Sequence, residues 1–264
     1  MSLHALHALH ASHAPKRALF LRGPSSSPAL HRILADLSAL APDSVSLSRP
    51  NALYPFDDPA SLEFLAHKNH AALVVVASSS RKRGDVLIFA RLFDGALLDM
   101  LELCLSDAHP MHLFSAKSPC GLRPLLLFAG APFDVSPPHR LCSSLFLDLF
   151  GGPLPRIHAD GLQHAVCLTA TDSHAHLRVY TLCRGATSVS LCEAGPRLDF
   201  TLGRVREASA AQLHAATAPA AVPRPPRNTS LSSRGDRVGR VHVAQRLSLQ
   251  TRKFRALRAR RTGG

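Results

Sequence analysis

Apolar positions along the chain follow two periods, and the changes between them mark out its elements. Two β-branched runs, Leu73–Ala77 and Val86–Phe93, flank a polar loop that ends in Arg81, Lys82, Arg83 and a glycine. Val, Ile and Phe fit a pleated, half-buried surface and Ser and Gly supply turns, so the pattern predicts strand, loop, strand. The loop exceeds a tight two-residue connection, which leaves the register open. Upstream, Ala18–Leu21 predicts a short strand that ends at Arg22-Gly23-Pro24. Ser27 before Pro28 is a helix start, because the hydroxyl caps a free N–H and proline suits the first helical position. Leu30, Ile33, Leu34 and Leu37 then fall at i, i+3, i+4 and i+7, one buried helical face. Ser44–Leu47 predicts a second strand, and Asp58-Pro59 repeats the cap-plus-proline signal for a short helix through Ala66. The apolar segment Leu97–Leu105 follows the hairpin.

A second copy of the opening pattern begins near residue 123. Leu125–Phe128 predicts a strand, Gly130 a turn, and Ser136-Pro137-Pro138 a helix through Leu141, Leu145 and Leu149 that stops at Gly151-Gly152. Both copies run strand, Gly, loop, Ser-Pro, His-Arg, apolar helix, which predicts two similar α/β halves, the first ending near residue 115. Further strands are expected at Ala165–Ala170, Leu177–Leu182, Ser188–Cys192 and Leu198–Leu202, then a helix-like Glu207–Thr217. The Pro/Arg stretch 218–230 is expected to be extended or loose. Arg246–Arg261 has Leu247, Phe254 and Leu257 along one side and is expected as a basic helix.

Charge sharpens this division. The 264 residues carry a net +13. Residues 1–203 hold 17 Lys/Arg against 16 Asp/Glu, whereas residues 204–264 hold 14 against 2. A near-neutral body thus carries a basic tail, the kind that binds polyanions. No apolar run approaches the roughly 18 residues that cross a bilayer. The first residues lack a signal peptide's basic start, so a soluble, intracellular chain is expected. Residues 1–14 are low complexity, with His4, His7, His10 and His13 at period three. Weak metal chelation and a disordered repeat are the two readings of that stretch, and disorder is preferred.

The search for chemistry finds no enzyme. Six cysteines, at 104, 120, 142, 167, 183 and 192, form no CxxC and lie at no zinc-finger spacing, so no metal site is expected. Buried, reduced thiols are expected instead. Gly23-Pro-Ser-Ser-Ser sits where a phosphate loop would, but lacks the lysine and glycine spacing of one. Asp172, His174 and His176 can be read as a ligand cluster, but an exposed turn before a strand is the preferred reading. No nucleophile, base and oxyanion donor come together, so neither catalytic residues nor a cofactor are expected.

Cations are the better candidates. Lys16, Arg17, Arg22, Arg81, Lys82 and Arg83 lie on loops or segment ends, and the tail adds Arg240, Arg246, Arg252, Lys253, Arg255 and Arg258. For any single arginine a solvated charged face is the alternative. Aromatics are scarce, with no Trp and two Tyr, so a base-stacking platform is poorly supplied. Phosphate neutralisation and shape recognition of folded RNA are therefore favoured.

Several stretches carry a resemblance: KRALFLRG at 16–23, PFDDPASLEFLAHKNHAALVVVASSSRKRGDVLIFARLFD at 55–94, LLDMLEL at 97–103, RPLLLFAGAPFD at 123–134, EAGPRLDFTLGRVREAS at 193–209 and GRVHVAQRLSLQTRKFRALR at 239–258. In this order they resemble the Brix-domain family, over nearly everything after residue 15. The resemblance implies an α/β fold of two similar halves like the anticodon-binding domain of class II tRNA synthetases. It divides the chain into an N-terminal 1–15, a Brix domain at 16–206 (halves about 16–115 and 116–206) and a basic, extended or helical tail at 207–264. It also implies a non-enzymatic, nucleolar assembly factor for the large ribosomal subunit. Such a factor forms a heterodimer with the regulator of ribosome synthesis protein and brings 5S rRNA, with its two ribosomal proteins, to pre-60S particles. Two alternatives are a Brix protein acting on another rRNA precursor and a nucleolar scaffold without direct RNA contact. Exposed strand edges and the segment 97–105 are the candidate docking sites for the heterodimer partner. The His repeat and the Arg-rich tail depart from the family's pattern; the latter preserves charge.

Overall fold

The computed structural model describes residues 16–151, 161–171, 173–184, 188–218, 229–231 and 237–239. The chain divides into two compact units, Met1–Ala218 and Pro219–Gly264. In the first, β1 (Ala18–Arg22) leads into the expected cap, where Ser27 Oγ accepts from the Leu30 amide at 3.1 Å. Pro28 opens α1 (Pro28–Leu40), which buries Leu30, Ile33, Leu34, Leu37 and Leu40. Each such leucine, fully removed from water, contributes ~1.5–3 kcal/mol.

β2 (Ser44–Pro50) lies parallel to β1 on one side. The chain then returns through α2 (Pro59–Lys68), capped by Asp58, to β3 (Leu73–Ser80), parallel to β1 on the other side. Parallel crossovers share one hand, so two leaving in opposite directions put their helices on opposite faces of the sheet. The side chains alternate to match. Ala18, Phe20, Leu73 and Val75 pack in the cluster of α1, and Leu19, Leu21, Val74 and Val76 in that of α2.

β3 pairs antiparallel with β4 (Gly84–Phe93) out to Ser80 opposite Gly84. The serines expected in the loop extend the strand, and the loop is Arg81, Lys82 and Arg83 alone. Gly84 has φ +68°, the left-handed residue that a three-residue hairpin loop uses. The segment 97–105, a candidate docking site in the sequence, is the middle of β5 (Ala96–His109). Leu97, Leu98, Met100, Leu101 and Leu103 are buried there, so this stretch is core and offers no docking surface.

The second strand–glycine–helix copy folds as β6 (Leu125–Ala129), Gly130 and α4 (Pro137–Leu149), with an additional short α3 (Pro132–Val135) between. Ser136 precedes α4, but its side chain makes no capping hydrogen bond. Phe146 of α4 packs 5.2 Å from the Phe89 ring, joining α1 and α4 over one face. β7 (His164–Ala170), β8 (Ala175–Arg184), β9 (Val189–Glu193) and β10 (Arg197–Arg206) complete the sheet. Its order is β2-β1-β3-β4-β5-β10-β8-β7-β6, with β9 paired to β8. β10, late in the sequence, thus inserts beside β5. α5 (Ala210–Thr217), capped by Ser209, lies in the first unit.

All six cysteines are free, but only Cys142 is buried, where burial pushes its thiol up to about 12. The expectation of generally buried thiols is corrected accordingly: Cys120 is exposed and the others are half-buried. In the second unit the described residues form one antiparallel pair, β11 (Thr229–Leu231) and β12 (Arg237–Gly239). The His repeat and the helix expected at Arg246–Arg261 lie outside the described residues. Among the described residues no helix is long and apolar enough to cross a membrane.

Candidate nucleic-acid interface

The sheet has one cationic end, and its topology explains why. Strand order reverses at β1, where one crossover leaves toward β2 and the next toward β3. In open α/β sheets such a switch point leaves a crevice at the carboxyl ends of the strands. Here those ends are Arg22 and Ser80, so Arg22 and the 81–83 loop project from the same end. Gly23 closes the crevice floor. Its amide donates to the Ala77 carbonyl at 2.7 Å, and a Cβ at Gly23 would lie 2.9 Å from that oxygen. Only glycine permits that approach without parting β1 from β3.

A buried carboxylate organises the arginines of this end. Glu102, on β5, is 1% exposed. Arg83 Nη1 donates to both its oxygens, at 3.1 and 2.8 Å. Arg204, on β10, donates its amide and Nε to Oε2 at 3.2 and 3.0 Å and Nη2 to Oε1 at 3.1 Å. The pairing of β10 with β5 is irregular between Leu202 and Val205, and a bulge of this kind re-aims a side chain. Gly203 in that bulge leaves room for the carboxylate, since a Cβ there would meet Glu102 Oε2 at 3.0 Å. The Arg204 guanidinium also lies 4.0 Å from the Phe56 ring centroid, a cation–π contact. Burial alone would raise the Glu102 pKa. The hydrogen bonds and charge of Arg204, with the Arg83 contact, outweigh it and hold the carboxyl below its ordinary value.

Around this pair lies a cleft of about 600 Å³, lined in part by Tyr54, Phe56, Ser78 and Arg81. Among the described residues Arg22, Arg81 and Lys82 carry no ion pair, so their charge is available to an anion. Arg83 is half committed to Glu102, with 43% of its side chain exposed.

The other cations proposed from the sequence lie elsewhere. Lys16 and Arg17 precede β1 and stand at the opposite end of the sheet. Arg17 pairs with Asp43 at 3.1 Å. Lys16 Nζ reaches Asp148 Oδ2 at 2.7 Å, and Arg91 reaches the same oxygen at 2.8 Å while also pairing with Asp99. Asp148 is 2% exposed, so this network ties the start of β1 and the centre of the sheet to α4. Arg240, Arg246, Arg252, Lys253, Arg255 and Arg258 lie outside the described residues.

Residues considered for catalysis have local partners. Ser27 caps α1 and donates to Asp85 Oδ2 at 2.6 Å; Ser26 is hydrogen-bonded to His31. His176 Nδ1 lies 2.8 Å from Asp199 Oδ1, which Arg178 also holds. Asp172 lies outside the described residues, and among those described no group of His, Cys, Asp and Glu is placed to hold a metal. Sequence reasoning passed over Arg204 and Glu102. The available signal was Glu102 itself: a carboxylate amid Leu97–Leu105, an apolar run, demands a cationic partner once buried.

Residues 23–204 match the Brix domain. The chain is 37% identical to the ribosome production factor 2 homolog of Schizosaccharomyces pombe, over 92% of this chain and 83% of that one. It is 34% identical to the protein of that name in Chaetomium thermophilum, over 92% of this chain and 83% of that one. The Homo sapiens homolog is 34% identical over 74% of this chain and 66% of its own length. A crystal structure of a probable ribosomal biogenesis protein from Aeropyrum pernix K1 aligns with 70% of this chain and 96% of that one, at a TM-score of 0.46 and 17% identity.

Proposed function

The chain belongs to the Brix-domain family, among the ribosome production factor 2 homologues, and on that premise we propose that it is a non-enzymatic assembly factor of the large ribosomal subunit. In this reading it acts in the nucleolus as a heterodimer with the regulator of ribosome synthesis protein. Together they bring 5S rRNA and its two ribosomal proteins to pre-60S particles. The observation that supports RNA contact is the cationic sheet end, where Glu102 fixes Arg83 and Arg204, and where Arg81 and Lys82 in the loop and Arg22 at the end of β1 lack ion pairs among the described residues. A preset array of this kind neutralises phosphates with little further ordering of side chains. The tail, with 12 Lys/Arg against 2 Asp/Glu over residues 207–264, adds sequence-independent affinity.

The test is co-purification. The full chain, expressed with its heterodimer partner, immobilised and offered both RNAs at about 0.15 M salt, is expected to retain 5S rRNA over a transfer RNA. Equal retention of both RNAs would remove the 5S assignment, and retention of neither would remove the RNA-binding role.

A further inference from the structure

The cleft beside Glu102 offers two kinds of unused recognition. The first is polar. Ser25 and Ser78 line it, their hydroxyls make no hydrogen bond among the described residues, and Arg81, also in the lining, has no ion pair there. Hydroxyl donors next to a guanidinium suit a phosphate, which accepts from several donors at once. Arg81, Arg83 and Arg204 outnumber Asp57 and Glu102 in the lining, so the cleft is net positive.

The second is aromatic. Tyr54 lines the same cleft and is 58% exposed, although the turn that carries it is well held. The amides of Asp57 and Asp58 donate to the Tyr54 carbonyl at 2.9 and 2.8 Å. A fixed backbone presenting an exposed ring is a stacking surface, because every base has a face that an aromatic can cover. An inorganic anion would leave Tyr54 unused, and an uncharged aromatic ligand would leave the serines and Arg81 unused. A nucleotide uses both. The volume, about 600 Å³, lies in the range of ligand pockets.

We propose that this cleft holds a single unpaired nucleotide, its base on Tyr54 and its phosphate against Arg81 and the serine hydroxyls. The proposal rests on the RNA-binding reading above and makes it more specific: the body of the protein prefers RNA with an extruded base, whereas the tail binds any phosphate backbone.

The experiment uses the full chain and two RNA hairpins of the same stem, one fully paired and one with a single bulged 2-aminopurine nucleotide. The bulged hairpin is expected to bind roughly tenfold more tightly, the scale of one base–aromatic stack. The 2-aminopurine fluorescence should fall on binding. Tyr54→Ala should abolish both the preference and the quenching, and Tyr54→Phe should retain both. Equal binding of the two hairpins without quenching overturns the cleft assignment and leaves RNA binding standing. Binding of neither hairpin overturns the RNA-binding reading as well. A parallel titration with 2-aminopurine riboside monophosphate identifies the source. Tyr54-dependent quenching there shows that a free nucleotide suffices; quenching with the bulged hairpin alone shows that the nucleotide must belong to a strand.

Discussion

Glu102→Gln tests the organisation of the cationic end. The substitution keeps the shape and removes the charge that holds Arg83 and Arg204, while the amide presents one acceptor instead of two. Removing one member of a buried ion pair costs ~3–5 kcal/mol when both charges are buried. Here the arginine side chains are 43% and 42% exposed and recover hydration once released. We therefore expect a loss of about 2–3 kcal/mol, below the fully buried range. For a unit of this size that lowers Tm by about 5–10 °C, at ~2–4 °C per kcal/mol. The measurement is thermal unfolding of the full chain by circular dichroism at pH 7. Glu102 has a folded pKa below its unfolded one, so its contribution is present above the ordinary value of 4.5 and is lost as pH falls through the folded pKa. The gap between the two proteins should therefore narrow below about pH 4.5. Combined with Arg204→Ala, the losses should fall short of additive by roughly 1–2 kcal/mol, as for residues in direct contact. A shift under 2 °C, or full additivity, would refute the claim that Glu102 organises the arginines.

Three further outcomes follow from the geometry. Arg91→Ala strands the buried Asp99 and Asp148 and should cost about 3–5 kcal/mol in chemical denaturation, whereas Lys16→Ala, which removes a half-exposed ammonium and leaves Arg91 on Asp148, should cost under ~1 kcal/mol. Gly130→Ala places a Cβ against the Ala170 carbonyl at φ +121° and should prevent soluble expression; Gly84→Ala, at φ +68° with nothing within 4 Å, should lower stability by only ~1 kcal/mol. His164 is 1% exposed, its Nε2 has no hydrogen-bond partner among the described residues, and burial lowers its pKa. Its contribution is complete above the ordinary 6.5 and lost as pH falls below that value, so His164→Gln should flatten the stability profile below pH 6.5.

What could be read from the sequence was mostly local. Ser27-Pro28 and the leucines of α1 announced a capped amphipathic helix, because cap and periodicity lie within a dozen residues of each other. The hairpin was legible as two strands, but its register was not. Ser78–Ser80 read as loop because they are polar, yet they pair with Asp85 and its neighbours at the end of the sheet. Lys16 read as a free cation because its partner, Asp148, lies 132 residues away. Arg204 escaped notice for the same reason, since it meets Glu102 across 102 residues. The apolar run 97–105 was, beside exposed strand edges, one of two candidate docking sites. Its pairing with β4 and β10 and the side chains packed on both its faces, contacts with no local signature, make it core.

The central claim is that the cationic sheet end neutralises RNA phosphates, and a salt titration tests it most directly. The affinity of the full chain for 5S rRNA is measured from about 0.05 to 0.3 M salt, beside an Arg81→Ala, Lys82→Ala double variant. Each lost phosphate contact should reduce the log–log slope by about 0.7 for single-stranded RNA, so the variant's slope should shrink by roughly 1.4. An unchanged slope with unchanged affinity would contradict the account and leave RNA binding to the tail alone.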